Sequence, residues 1–463
     1  MNQGNNIPDY LSIGFDQMDR DLRFLMQCFS EVLQDLGHRD LAAHLPWLGD
    51  TSELGAAPWR LGLAYSVAFQ ILNMVEEHAS AAMRNLRERC EGLAAERGLW
   101  GDQLARLKKL GVEQETVAAR MRKIRVEPVL TAHPTEAKRL SVLAQHRGLF
   151  GLLEKLGRPD QTPSEQRVAR EAVKAALERL WRTGEILLEK PALADERRNV
   201  LHYLCEIFPA VLPDLDERLR QAWSQTGYDP AVLEPPGSLP RIRFGTWVGG
   251  DRDGHPGVTA EVTAQTLEQL RINGLLVARA QLLALAEKLS LSTWMQESPP
   301  FLVEAMSRQE AALGECAPKT AHHDEPWRRY VELLLARLPL EHTPGQAAQL
   351  RDEAGVYSFS AELLADLDAL SASLEQAGAE RLAHSDVTPV RRTVEVFGFH
   401  LAQLDIRQNS VFHAKALSQL LGAAGISADP WDDWSEAERL RFLDRELRSP
   451  RPFLHPSVHA GPE

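Results

Sequence analysis

Three short runs interrupt an otherwise helical sequence, and they constrain the fold more than any other feature. Arg125-Val126-Glu127-Pro128-Val129-Leu130-Thr131 is compact and rich in β-branched residues, with polar punctuation directly after it. Arg241-Ile242-Arg243-Phe244-Gly245-Thr246-Trp247-Val248 follows the turn-rich segment Pro235-Pro236-Gly237-Ser238-Leu239-Pro240. Leu401-Ala402-Gln403-Leu404-Asp405-Ile406-Arg407 is the third. Each reads as a short strand ending in charged or small residues. Long helical stretches lie between them, which implies parallel pairing, and α/β sites form at the carboxyl ends of such strands. The expected class is mainly α with a few short parallel strands.

The helical stretches carry their own signals. Leu22, Leu25, Met26, Phe29, Val32, Leu33 and Leu36 recur at three- and four-residue steps, and Gly37 stands where that helix would end. Ala68–Arg89, Glu165–Leu188, Ala260–Leu289, Pro326–Leu338 and Ala361–Gln376 have the same period. Ser435 with Glu438 is a capping-box signature for a helix running through Leu447. These apolar faces read as core. No internal repeat or low-complexity tract interrupts them.

The charge balance, 52 Lys+Arg against 65 Asp+Glu, gives a formal net charge of −13. Such a surface repels phosphate backbones and anionic lipid, so neither nucleic acid nor a membrane surface is an expected partner. A local arginine cluster can still hold a small anion. Cys28, Cys90, Cys205 and Cys316 lie far apart and lack metal-ligand spacing, as expected of thiols in a reducing compartment. The first residues, Met1-Asn2-Gln3-Gly4-Asn5-Asn6, contain no basic and apolar leader pattern, and a cytoplasmic location is expected.

The first strand runs into Thr131-Ala132-His133-Pro134-Thr135-Glu136-Ala137-Lys138-Arg139. Pro134 pushes His133 toward an extended conformation and fixes the exit of its imidazole. Lys138 and Arg139 in the first turn of a following helix oppose its dipole, which suggests an anion held nearby. A capping turn around a structural histidine fits the same residues. The second strand delivers Trp247-Val248-Gly249-Gly250-Asp251-Arg252-Asp253-Gly254-His255-Pro256. Gly249, Gly250 and Gly254 allow close approaches and unusual backbone conformations. Arg252 between Asp251 and Asp253 fits an oxyanion-binding guanidinium, a salt-bridged turn, or, through the carboxylates, a cation site. The glycine spacing is not that of a nucleotide-phosphate loop. At the third strand, Arg407 is suited to bidentate recognition of phosphate or carboxylate, while Asp405-Ile406-Arg407 alone is also a common surface ion pair.

Together, Thr131–Arg139, Phe244–Thr259 and Phe397–Ser410 resemble the three most characteristic N-terminal motifs of the phosphoenolpyruvate carboxylases, in the same order. Leu180–Ile186, Glu325–Arg329 and Arg445–Pro452 resemble further family segments. The resemblance implies joining bicarbonate to phosphoenolpyruvate with Mg²⁺ or Mn²⁺, through carboxyphosphate and the enolate of pyruvate, to give oxaloacetate and phosphate. By the same resemblance His133 is the catalytic proton acceptor and Arg407 a phosphate ligand. The resemblance also implies that Trp247 lines an apolar pocket for CO₂ and that Arg252 meets the substrate from a loop shaped by Gly249, Gly250, Asp251, Asp253 and Gly254.

Leu140, His255 and Gly184 depart from the commoner family residues and suggest a divergent bacterial-type branch. The family fold is a (β/α)8 TIM-like barrel embedded in many helices, and three strand candidates make only part of it. The implied organisation is a helical region over 1–122 and the first portion of the barrel, with long helical insertions, over 123–463. Metal ligands are expected from the family's C-terminal half, so no metal ligand is assigned here. The implied partners are phosphoenolpyruvate, bicarbonate, and either further copies of the chain (tetramers are usual) or a complementing C-terminal half. A non-catalytic remnant or a regulatory partner of a full-length carboxylase is the alternative.

Overall fold

The computed structural model describes residues 8–48, 58–131, 140–157, 161–184, 192–253, 257–319, 322–343, 345–455, 458 and 460–461. The protein is mainly helical with a few short, mostly parallel strands. It divides into two compact units. The first comprises Met1–Val126, Ala132–Asn199 and Ile207–Ile242, and the second Glu127–Thr131, Val200–Glu206 and Arg243–Glu463.

In the first unit the helix Tyr10–Asp35 buries Leu22, Leu25, Met26, Phe29, Val32 and Leu33 along one stripe. It packs against helices Pro58–Glu91 and Pro163–Thr183. Its end is fixed by Gly37 at φ 82°. There the His38 N–H reaches the Leu33 carbonyl at 2.8 Å and the Gly37 N–H reaches Gln34 at 3.0 Å, which satisfies two terminal carbonyls. Helix Pro163–Thr183 opens on a capping box between Thr162 and Glu165. It stops at Gly184, short of the Leu188 expected from periodicity, because Gly184 turns the chain at φ 65°. Residues 185–191 lie outside the described set.

The second unit has a core of helices Ala260–Lys288, Pro300–Leu313, Pro326–Ala336, Ser360–Gln376 and Thr388–Phe397. A polar knot sits at its margin. Asp366 accepts from Tyr357 Oη at 2.7 Å and from Gln309 Nε2 at 2.7 Å. Arg337 lies over the Tyr357 ring, 4.2 Å from its centroid. Its Nε donates to the Gly355 carbonyl at 2.9 Å, and its Nη1 donates to Gln309 Oε1 at 2.6 Å and to Asp366 Oδ2 at 3.4 Å. Burial first, and the Asp366 charge second, push both Tyr330 and Tyr357 above the usual tyrosine range. Helix Glu436–Glu446 has the capping box expected of Ser435 and Glu438.

The strands are β1 Arg125–Val126, β2 Val129–Leu130, β3 Arg241–Ile242, β4 Gly245–Thr246, β5 Leu340–Glu341, β6 Gln349–Leu350 and β7 Gln403–Leu404. In the first unit β1 pairs parallel with β3, and in the second β2, β4 and β7 form a parallel sheet in that order. β5 and β6 form an antiparallel hairpin with no counterpart among the sequence expectations. The first two expected strands are each broken in two, at Glu127-Pro128 and at Arg243-Phe244. Pro128 has no N–H to give to a ladder, although its carbonyl still accepts from Gly245 N at 3.0 Å.

Candidate active site

The site is built from backbone upward. Val129, Gly245 and Gln403 are in register across the sheet, as are Leu130, Thr246 and Leu404. One residue further on, the Trp247 N–H donates to the Leu130 carbonyl at 3.3 Å, and the Asp405 N–H to Thr246 at 2.9 Å. The chain after β4 then turns sharply. The Gly250 and Asp251 N–H groups both donate to the Trp247 carbonyl, at 2.8 and 2.9 Å. The turn brings the loop back beside the chain leaving β7, where Arg407 N donates to Gly250 O at 3.0 Å and Arg252 N to Arg407 O at 2.9 Å. Arg407 is therefore pinned through both of its backbone polar groups.

Two glycines make this turn possible. Gly249 has φ 90°, and a Cβ there would lie 2.3 Å from Thr266 Oγ1. A Cβ on Gly250 would lie 2.3 Å from the Asp405 carbonyl oxygen, a contact with backbone that no rotamer relieves. Helix Ala260–Lys288 braces the loop: Thr263 Oγ1 donates to the Gly249 carbonyl at 2.8 Å. This brace was not anticipated. Its only sequence trace is a Thr263/Thr266 pair one turn apart, just beyond the Thr259 cap. Beneath the sheet Phe244 stacks on Phe397, with centroids 5.2 Å apart and an interplanar angle of 6°.

The pinned backbone places the Arg407 guanidinium over the Trp247 indole, 3.8 Å from the ring centroid. Asp405 Oδ2 lies 3.7 Å from Arg407 Nη2. Trp247 Nε1 and Arg252 Nε are buried donors without a hydrogen-bond partner among the described residues. Arg252 makes no ion pair with Asp251 or Asp253 among the described residues, which departs from the clasped guanidinium that the sequence suggested. The reason is local: Asp251 Oδ1 turns inward to accept the Asp253 N–H at 3.1 Å, forming a small side-chain-closed turn. His133 and Gly254 lie outside the described residues, so of the anticipated site residues the structure brings Trp247, Gly249, Gly250, Asp251, Arg252, Asp253 and Arg407 into one loop pair. Among the described residues no three histidine, cysteine, aspartate or glutamate side chains are placed to hold a metal ion. These residues do not fit a metal site by themselves. What they can do is bind an anion: a planar guanidinium stacked by its face keeps its edge donors for two oxygens.

The phosphoenolpyruvate carboxylase family model matches residues 55–463, a span that includes every motif described above. This chain belongs to the phosphoenolpyruvate carboxylase family. Among curated phosphoenolpyruvate carboxylases it is 35% identical to that of Xanthomonas campestris pv. campestris (strain 8004) over 387 residues, covering 82% of this chain and 40% of the relative. It is 34% identical to that of Aromatoleum aromaticum over 406 residues, covering 85% and 42%, and 31% identical to that of Methylorubrum extorquens over 381 residues, covering 81% and 41%. The chain thus spans about two fifths of the length of the phosphoenolpyruvate carboxylases it matches. No helix among the described residues is long and apolar enough to cross a membrane.

Proposed function

We propose that this chain acts in the carboxylation of phosphoenolpyruvate by bicarbonate, giving oxaloacetate and phosphate. The observation that carries this reading is the Arg407 guanidinium set against Trp247 at the ends of adjacent parallel strands, within family motifs in family order. In this reading the Arg407 fork holds phosphoryl oxygens. Trp247 walls the side of the site where CO₂ is kept from water. His133, which follows β2, accepts the proton as carboxyphosphate breaks down, a task an imidazole suits near neutral pH. Arg252 and the loop Gly249–Gly254 shape the cavity, and the three-stranded sheet is part of a larger α/β barrel. The family's divalent metal, Mg²⁺ or Mn²⁺, is assigned to ligands in the portion of the family's length that these residues do not match.

The test is a coupled oxaloacetate assay with phosphoenolpyruvate, bicarbonate and Mg²⁺. The 463 residues alone are expected to be inactive, and activity is expected when the remaining portion of a relative is added. In that combination His133→Asn should lower turnover by roughly 10²-fold or more while phosphoenolpyruvate binding is largely kept. Turnover by the chain alone would overturn the metal assignment. Silence in both arms would overturn the carboxylase reading and favour a non-catalytic partner of a longer carboxylase.

A further inference from the structure

We infer that Trp247 is a positioning residue whose indole face holds the Arg407 guanidinium in the orientation that receives a phosphoryl anion. The inference rests on the carboxylase reading above for the identity of the anion. Its physical basis is the contrast between a fixed backbone and an otherwise loosely held side chain. The Arg407 backbone is clamped by Gly250 and Arg252. Four rotatable bonds still separate that backbone from the guanidinium. Asp405 does little to hold it: the pair is 3.7 Å apart, with the side chains 46% and 38% exposed, a geometry in which ion pairs contribute little. The Trp247 ring lies 3.8 Å from the guanidinium carbon, well inside the range of cation–π attraction.

The stack occupies the face of the guanidinium and leaves its edge available. Arg337 shows what the alternative looks like: it too lies over an aromatic ring, but Gly355, Gln309 and Asp366 take up its Nε and Nη1 donors. Apart from Asp405, Arg407 has no such partners among the described residues. The Trp247 backbone is pinned in turn: its amide N–H donates to the Leu130 carbonyl, and its carbonyl accepts from the Gly250 and Asp251 N–H groups. Among the described residues the indole Nε1 has no partner that would pull the ring elsewhere. With two side-chain torsions beyond its pinned backbone against four for Arg407, Trp247 is the stiffer member of the pair and serves as the platform.

The experiment titrates the purified 463-residue chain with phosphoglycolate, using glycolate as the phosphate-free control, and records the Arg407 Nε–Hε resonance. In the unaltered chain that resonance should carry an upfield ring-current shift, and phosphoglycolate should bind where glycolate does not. Trp247→Leu should abolish the shift and weaken phosphoglycolate roughly five- to thirty-fold, the range of a partly desolvated cation–π contact. Trp247→Phe, which keeps an aromatic face, should bind within roughly three-fold of the unaltered chain; a merely space-filling role would not distinguish Phe from Leu in this way. Binding unchanged in a folded Trp247→Leu chain, with loss in Arg407→Gln, would overturn the inference and leave the phosphate reading standing. Equal phosphoglycolate binding by the unaltered and Arg407→Gln chains, or none by either, would overturn both.

Discussion

Of the arginines that lie on aromatic rings in the second unit, Arg337 and Arg407 have surroundings that differ. Arg337 over Tyr357 sits at the edge of the helical core with 17% of its side chain exposed, and hydrogen bonds to Gly355, Gln309 and Asp366 occupy its Nε and Nη1 donors. Arg407 over Trp247 sits at the strand ends with 46% exposed, and among the described residues only a 3.7 Å carboxylate answers its charge. Nearby, Trp247 Nε1 and Arg252 Nε are buried without partners among the described residues. An unsatisfied buried donor costs about 1–3 kcal/mol, so these two weigh against stability at the strand ends. On the proposed reading one local geometry serves two purposes: the stack over Tyr357 belongs to a hydrogen-bonded knot, and the stack over Trp247 leaves a guanidinium edge for an anion.

The comparison breaks first at Asp366. Asp366→Ala leaves Arg337, Tyr357 and Gln309 without their shared acceptor, and should lower stability by about 3–5 kcal/mol in urea unfolding followed by circular dichroism. Phosphoglycolate affinity of the molecules that remain folded should be unchanged. A cost below about 1 kcal/mol would mean that the knot is ornamental rather than structural.

Gly250→Ala tests the other region through its backbone. The new Cβ would press on the Asp405 carbonyl, so a loss of about 1–3 kcal/mol is expected. Phosphoglycolate binding should fall with it, because Arg407 is pinned to the Gly250 carbonyl. Stability lost with binding intact would show that the loop can shift without moving Arg407.

Arg407→Gln should behave in the opposite sense to Asp366→Ala. Its stability should fall by no more than about 1 kcal/mol, since a half-exposed stack is lost but no donor network is broken, while phosphoglycolate binding is lost. A large stability loss here would erase the distinction between the two arginines. Asp405→Asn is the finest probe: a long, half-exposed pair predicts a change of at most about 0.5 kcal/mol in stability and little in affinity. A larger effect on affinity would shift the positioning role from Trp247 to Asp405.

The helices were legible where local rules dominate. Gly37 closes one with the expected left-handed turn, and Ser435 with Glu438 opens another. The three strand positions were legible too, because β-branched runs ahead of polar punctuation have few other uses. Their interruption at Pro128 could have been read from the missing N–H, but the break at Arg243-Phe244 has no residue that announces it. Within the site, Trp247 and Arg407 stand out by residue type, whereas their stacking depends on a re-pairing of loops that no spacing rule encodes. Arg252 misled because sequence adjacency suggested clasping carboxylates, while Asp251 satisfied a backbone N–H instead. Leu401, at φ 62° and fully buried just before β7, is the least legible of all, since leucine rarely adopts that conformation.

The order of strands in the small sheet has a consequence for how the chain is made. β2 and β4 are separated by roughly 115 residues and β4 and β7 by roughly 160, so almost nothing about this sheet is local. On a ribosome adding ~5–20 residues per second, β2 is synthesised on the order of 15–55 s before β7 can dock. The neighbouring helices form within microseconds of emerging. A nascent chain therefore carries finished helices around an unfinished site for most of its synthesis, with Val129 and the β4 edge bare. Codon choice and chaperone occupancy between β4 and β7 would then govern yield more strongly than any single contact in the completed protein.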